Sequence, residues 1–170
     1  MKIEVESNLS DGMQETLDAV LARSKDILPY FEIQASMLDG LIQADSFGEA
    51  TSPFGDAWKP LAQSTIDARR KGKGKGSPSP LIDTWALRKG TFAKGYKGWI
   101  EFGVSGAGAV YAAAHQFGVK TSQGRDRPPA RPFLPASNGQ ADFSRGPAKE
   151  WYDDMVSGLA EWLTNGSTHG

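Results

Sequence analysis

The stretch VYAAAHQFGV, residues 110–119, holds one of only two histidines in the chain, His115; the other, His169, lies in the C-terminal tail. A histidine set among alanines admits three readings: general base, metal ligand, or packing residue. A general base needs a partner to orient its second ring nitrogen, and a nucleophile or metal at hand. The neighbours of His115 are Ala113, Ala114, Gln116 and Phe117, with Tyr111 one turn back, and none is a carboxylate. A zinc site needs three or four ligands at recognisable spacing, and the chain has no HxxxH, no HExxH and no cysteine. The residue types therefore favour a packing or hydrogen-bonding histidine.

The remaining chemistry-bearing residues are cations. KGKGKG at 71–76 fails as a phosphate-cradling loop, because no GKS or GKT follows and no apolar strand precedes it. Arg69, Arg70, Lys71, Lys73 and Lys75, together with Arg125 and Arg127 of RDRPPAR, form instead a set suited to DNA phosphates or an acidic partner. Such contacts need only mobile positive charge. The alternative is a solvated loop that touches nothing. Asp153 and Asp154 are adjacent, so on a helix they face different ways and make no paired-carboxylate site. The five tryptophans (58, 85, 99, 151 and 162) read as core or interface anchors. No local motif assembles an enzyme, and no cofactor or metal is implied.

The elements that must carry these residues follow from pattern. The chain of 170 residues is long enough to bury a core, and without cysteine it has no disulfide framework. It lacks a run of apolar residues long enough for a membrane span, and MKIEVESNLSDG lacks the apolar core of a signal peptide. A soluble, intracellular protein is expected. The net charge of -1 conceals segregation: residues 1–57 carry 11 acids and 3 bases, 58–131 carry 14 bases and 4 acids, and 132–170 carry 5 acids and 2 bases. Faces of opposite sign suit head-to-tail assembly or contact with a polyanion.

Lys2 to Glu6 alternates like a short strand. Asp11 and Gln14 resemble a capping box for a helix whose Met13, Leu17, Val20 and Leu21 recur at helical spacing. A second helix starts near Pro29, with Tyr30, Ile33, Met37, Leu38 and Leu41 on one face. SPFGDAWKPL, 52–61, reads as a turn-rich linker. Residues 67–80 have too few apolar groups to offset their ordering entropy, which predicts a mobile loop. Thr91–Tyr96 and Trp99–Val104 flank Lys97-Gly98 as a β-hairpin. Ala109–Phe117 reads as a helix ending on a left-handed Gly118, and 119–132 as a polar, proline-rich loop. Pro147 opens the last helix, whose Trp151, Met155, Leu159 and Trp162 should dock on the sheet.

The order of landmarks is more specific than any one of them. SPFGDAWKPL (52–61), LIDTWALRKG (81–90), YAAAHQFG (111–118) and PPARPFL (128–134) together resemble the tailed-phage virion morphogenesis family, also called tail completion or neck proteins. The resemblance spans roughly residues 47 to 134. One departure stands out: Thr84-Trp85-Ala86 replaces the family's Thr-Gly, which puts a glycine-dependent turn in doubt.

The resemblance implies a non-enzymatic virion part with an α+β fold: a small curved antiparallel sheet packed by N-terminal and C-terminal helices, with long mobile loops. One domain over 1–170 is expected, with 67–80 and 119–132 as flexible loops or arms and 165–170 as a tail. Such proteins act at the head–tail junction or tail end as rings, commonly of six, that meet the tail tube and the neck or connector proteins. On this reading Trp58, Tyr111, His115, Gln116, Arg131, Phe133 and Leu134 face a neighbouring subunit or partner, and the cationic set meets an acidic partner or DNA in the lumen. The competing readings are a basic-loop DNA-binding module and a hydrolase built around His115.

Overall fold

The structure, a computed structural model, describes residues 11–73, 77–125 and 127–167. Among these, helices dominate and the strands are short, an α+β arrangement. Helix α1 (Asp11–Lys25) passes through two residues into α2 (Leu28–Leu41), with Pro29 in the first turn of α2, where its missing N–H breaks no helical bond. One wider turn, Ile42–Ser46, prolongs α2. Two expectations, the strand at 2–6 and the Asp11 cap, fall outside the described residues or side chains.

The hairpin forms in the register its sequence predicts. Strands β1 (Thr91–Tyr96) and β2 (Trp99–Val104) pair antiparallel, from Thr91 opposite Val104 to Tyr96 opposite Trp99. A second ladder is only two residues long on each side, β3 (Ala136–Ser137) with β4 (Gln140–Ala141). Helix α2 lies across β1, and Gly95 permits the approach: a Cβ there would sit 2.4 Å from the Phe31 carbonyl carbon.

With that contact the face expected of α2 is kept in part: Leu41 packs against the core. Tyr30, Gln34, Ala35 and Leu38 are buried, whereas Ile33 and Met37 are exposed.

The last helix, α6 (Gly146–Asn165), buries Ala148, Trp151 and Trp162. It docks on α2 and α1 rather than directly on the sheet, which α2 already covers. The Trp151 indole donates to the Gln34 carbonyl at 3.2 Å, and the Tyr30 hydroxyl donates to the Met155 carbonyl. Arg23 of α1 donates to the carbonyls of Leu163 and Thr164 at 2.8 and 2.7 Å. A cation there satisfies the end of α6 where helical carbonyls lack partners. Phe143 links α6 to the hairpin, its ring 5.3 Å from that of Trp151 and 6.1 Å from that of Phe102.

Three segments expected as linker or loop carry internal hydrogen bonds where they are described. SPFGDAWKPL is a packed turn: the buried Ser52 hydroxyl accepts from the N–H groups of Phe54 and Asp56, and Trp58 is in the core. Within 67–80, helix α3 (Gln63–Ala68) continues into a wide turn, Arg69–Lys73, and Arg69 donates to the carbonyls of Ser77 and Ser79. Residues 119–132 form a closed hairpin-like loop, with Val119 N–H donating to Pro128, Arg127 N–H to Val119 and Thr121 N–H to Arg125. Backbone pairing, which composition does not reveal, orders this polar stretch.

Candidate functional site

Helix α5 (Ala109–Phe117) follows a tight turn, Gly106–Gly108, and carries the histidine motif against the PPARPFL segment. Gln116 is the centre of this contact. Its Nε2 donates to the carbonyls of Leu134 and Ala136, both at 2.9 Å, and its Oε1 accepts from the N–H groups of Phe133 (3.0 Å) and Leu134 (3.1 Å). Two donor hydrogens and both acceptor positions are thus used, the full capacity of a primary amide. The backbone joins in, with Arg131 N–H donating to the His115 carbonyl at 2.7 Å.

Gly118 lets the chain turn back here, but not as a left-handed cap. Its φ is 73° and its ψ 168°, a conformation only glycine adopts readily.

The same segment is tied to the tryptophan motif. The Trp58 indole N–H donates to the Pro132 carbonyl at 2.7 Å. Arg131 Nε donates to the Lys59 carbonyl at 2.8 Å, and Nη2 to that of Pro60 at 3.1 Å. Phe133 is fully buried, its ring 5.7 Å from Phe47, which meets Trp58 edge-on at 6.0 Å. At the other end of the motif, the Pro53 carbonyl accepts from Ala148 N–H and so satisfies the start of α6.

Beside this latch lies a cleft of about 230 Å³, lined by Arg69, Asp83, Thr84, Tyr111, His115 and Arg131 among others. Helix α4 (Ala86–Gly90) forms one wall through Ala86 and Leu87. Arg69 pairs with Asp83 at 3.5 Å. Burial, reinforced by the Arg69 charge, lowers the Arg131 pKa, and burial with the Arg131 charge lowers that of His115. His115 is therefore neutral at neutral pH. Its Nδ1 is buried and without a hydrogen-bond partner. No group of three or more His, Cys, Asp or Glu among the described residues can hold a metal.

Placement of the expected interface residues is split. Trp58, Gln116, Arg131 and Phe133 point inward and hold the fold, which removes them from the surface of the subunit. Their polar groups are spent on carbonyls and amides of their own chain. Leu134 packs against the core, Tyr111 is exposed, and His115 is half-buried at the cleft. Of the cations, Arg69 is held internally, whereas Arg70, Lys71, Arg125 and Arg127 are exposed. The side chains of Lys73 and Lys75 lie outside those described. Sequence reasoning missed Ser52 as the organiser of its turn; the Ser-Pro pair before a glycine was the available signal.

Residues 10–151 match the model of the phage virion morphogenesis family. The chain belongs to that family. The match extends well beyond the landmark motifs, taking in α1, α2 and the start of α6. No curated protein and no solved structure matches the chain significantly. No helix among the described residues of this virion morphogenesis protein is long and apolar enough to cross a membrane.

Proposed function

We propose that this protein is a non-enzymatic structural subunit that completes or terminates the phage tail, or joins tail to head, as an oligomeric ring at that end of the virion. One observation carries the reading: the landmark motifs of a virion morphogenesis family converge on interior hydrogen bonds rather than on a reactive centre. Gln116, Trp58 and Arg131 brace the fold, which leaves the outer faces of the helices for other copies and for tail-tube or neck proteins. Negative-stain imaging and mass measurement, with and without purified tail tubes, test it. Rings seated on tube ends are expected; a monomer that never associates with tails or necks overturns the proposal.

A second contact, with DNA passing through the ring, is favoured by the exposure of Arg70, Lys71, Arg125 and Arg127. Affinity for a short duplex should then fall by a log slope of about 0.9 per phosphate contact with log salt. Absence of binding at ~50 mM salt, where such contacts are strong, eliminates this contact.

A further inference from the structure

Among the exposed apolar residues, two stripes lie on different helices, α1 and α5. On α1, Met13, Leu17 and Leu21 recur every four residues and so share a face, yet they are 53%, 45% and 54% exposed. Every residue from Gly12 to Asp18 is exposed; α6 reaches α1 near Arg23, where α6 itself ends. A helix of 15 residues with so little packing is marginal in water and calls for cover along its stripe. On α5, Val110, Ala113 and Phe117 share a face, with Val110 80% and Phe117 49% exposed. Ala113 between them permits a second helix to come close.

Charge distinguishes the two faces. Asp18 is exposed beside the α1 stripe, and Glu32 and Asp154 are exposed on α2 and α6. Arg125 and Arg127 are exposed on the loop that follows α5.

We infer that α1 of one subunit packs along α5 of a second copy, the Met13–Leu17–Leu21 stripe lying on Val110, Ala113 and Phe117, with Asp18 of α1 facing the arginines after α5. The two surfaces differ, so the contact is head-to-tail and repeats around a ring. This rests on the ring reading above and supplies its subunit contact.

Leu17→Asp and Val110→Asp test it, because each disables one face at an exposed position. At concentrations too low for assembly, both variants should keep the circular dichroism spectrum and melting behaviour of the unassembled wild type. Each alone should lose at least about tenfold in self-association, since an exposed-stripe leucine or valine supplies a kilocalorie-scale share of an apolar contact. Mixed one to one, they should form a dimer containing one of each, visible by light scattering, because each supplies the face the other lacks. Two variants that assemble like wild type overturn the contact while wild-type rings leave the ring reading standing. Failure of the mixture to pair also overturns it. A wild type that never self-associates, alone or on tail tubes, defeats the ring reading and the contact with it.

Discussion

Gln116 and Leu134 are bonded in both directions: the side-chain amide donates to the Leu134 carbonyl at 2.9 Å and accepts from the Leu134 N–H at 3.1 Å. The side chain thereby imitates a neighbouring β-strand and gives the PPARPFL segment a partner that no strand among the described residues supplies. Gln116→Ala orphans two buried carbonyls and two amides, at a net cost of about 1 kcal/mol per bond, or about 3 kcal/mol with partial relaxation. Gln116→Glu, close in shape but without donors, should be at least as damaging. Urea denaturation measures both. A loss below about 0.5 kcal/mol for either, the range of ordinary surface changes, would show that the latch does not hold the segment.

Gly118→Ala combines two penalties. A Cβ at this position would lie 2.8 Å from Ala130 N, and the φ of 73° with ψ of 168° is hostile to side chains. We expect a loss of about 2 kcal/mol or more. Gly124→Ala is the control, since Gly124 also has a positive φ, 74°, but open space where its Cβ would go. Its cost should stay near 1 kcal/mol, the conformational share alone. Thermal denaturation of the pair separates close approach from backbone preference, and equal losses would remove the role assigned to Ala130.

His115 should give stability a pH dependence of definite sign. Its folded pKa is lowered below 6.5, chiefly by burial and then by Arg131. Below pH 6.5 the unfolded chain therefore binds a proton that the folded protein resists, and stability falls as pH drops until the folded pKa is reached. His115→Gln should flatten the stability curve below about pH 6.5. Arg131→Met removes the neighbouring charge, so the His115 midpoint should rise, as followed by NMR of the imidazole protons. A midpoint that stays put would mean burial acts alone.

The hairpin, α5 and the last helix were legible because period and turn chemistry act locally: Lys97-Gly98, the alanine run and the Trp151–Trp162 spacing each specify an element without help. The family landmarks were legible too, but their roles were not. Arg131 in PPARPFL has the composition of an interface anchor, and only the three-dimensional proximity of the Lys59 and Pro60 carbonyls turns it inward. Helix faces were legible only in part, for a related reason. The Ile33–Met37 and Gln34–Leu38 sides of α2 are both plausible cores, and the approach of Gly95 to the Phe31 backbone, a non-local contact, selects the second. On α1, periodicity found a real stripe, but periodicity alone does not say whether a stripe is covered by its own chain or by another.

Trp85 stands where the motif resemblance leads one to expect a glycine, and its φ of 63° and ψ of −1° are left-handed, the strained conformation of a bulky residue just before α4. The left-handed conformation costs about 1–2 kcal/mol for a residue with a side chain. Against that stand the Arg88 guanidinium, 5.4 Å from the indole centroid, worth about 0.5–1 kcal/mol at an exposed site, and the greater flexibility glycine would bring to the unfolded chain. The terms nearly cancel, so Trp85→Gly should change stability by between zero and about +1 kcal/mol, measured by urea denaturation. An exposed aromatic held in a strained conformation marks a surface that the strain serves, by the tendency of such residues to cluster at functional sites. The variant should accordingly bind tail tubes more weakly while melting no earlier. If it melts earlier by more than about 1 kcal/mol, the indole packs into the fold more than its exposure indicates, and the surface role is lost.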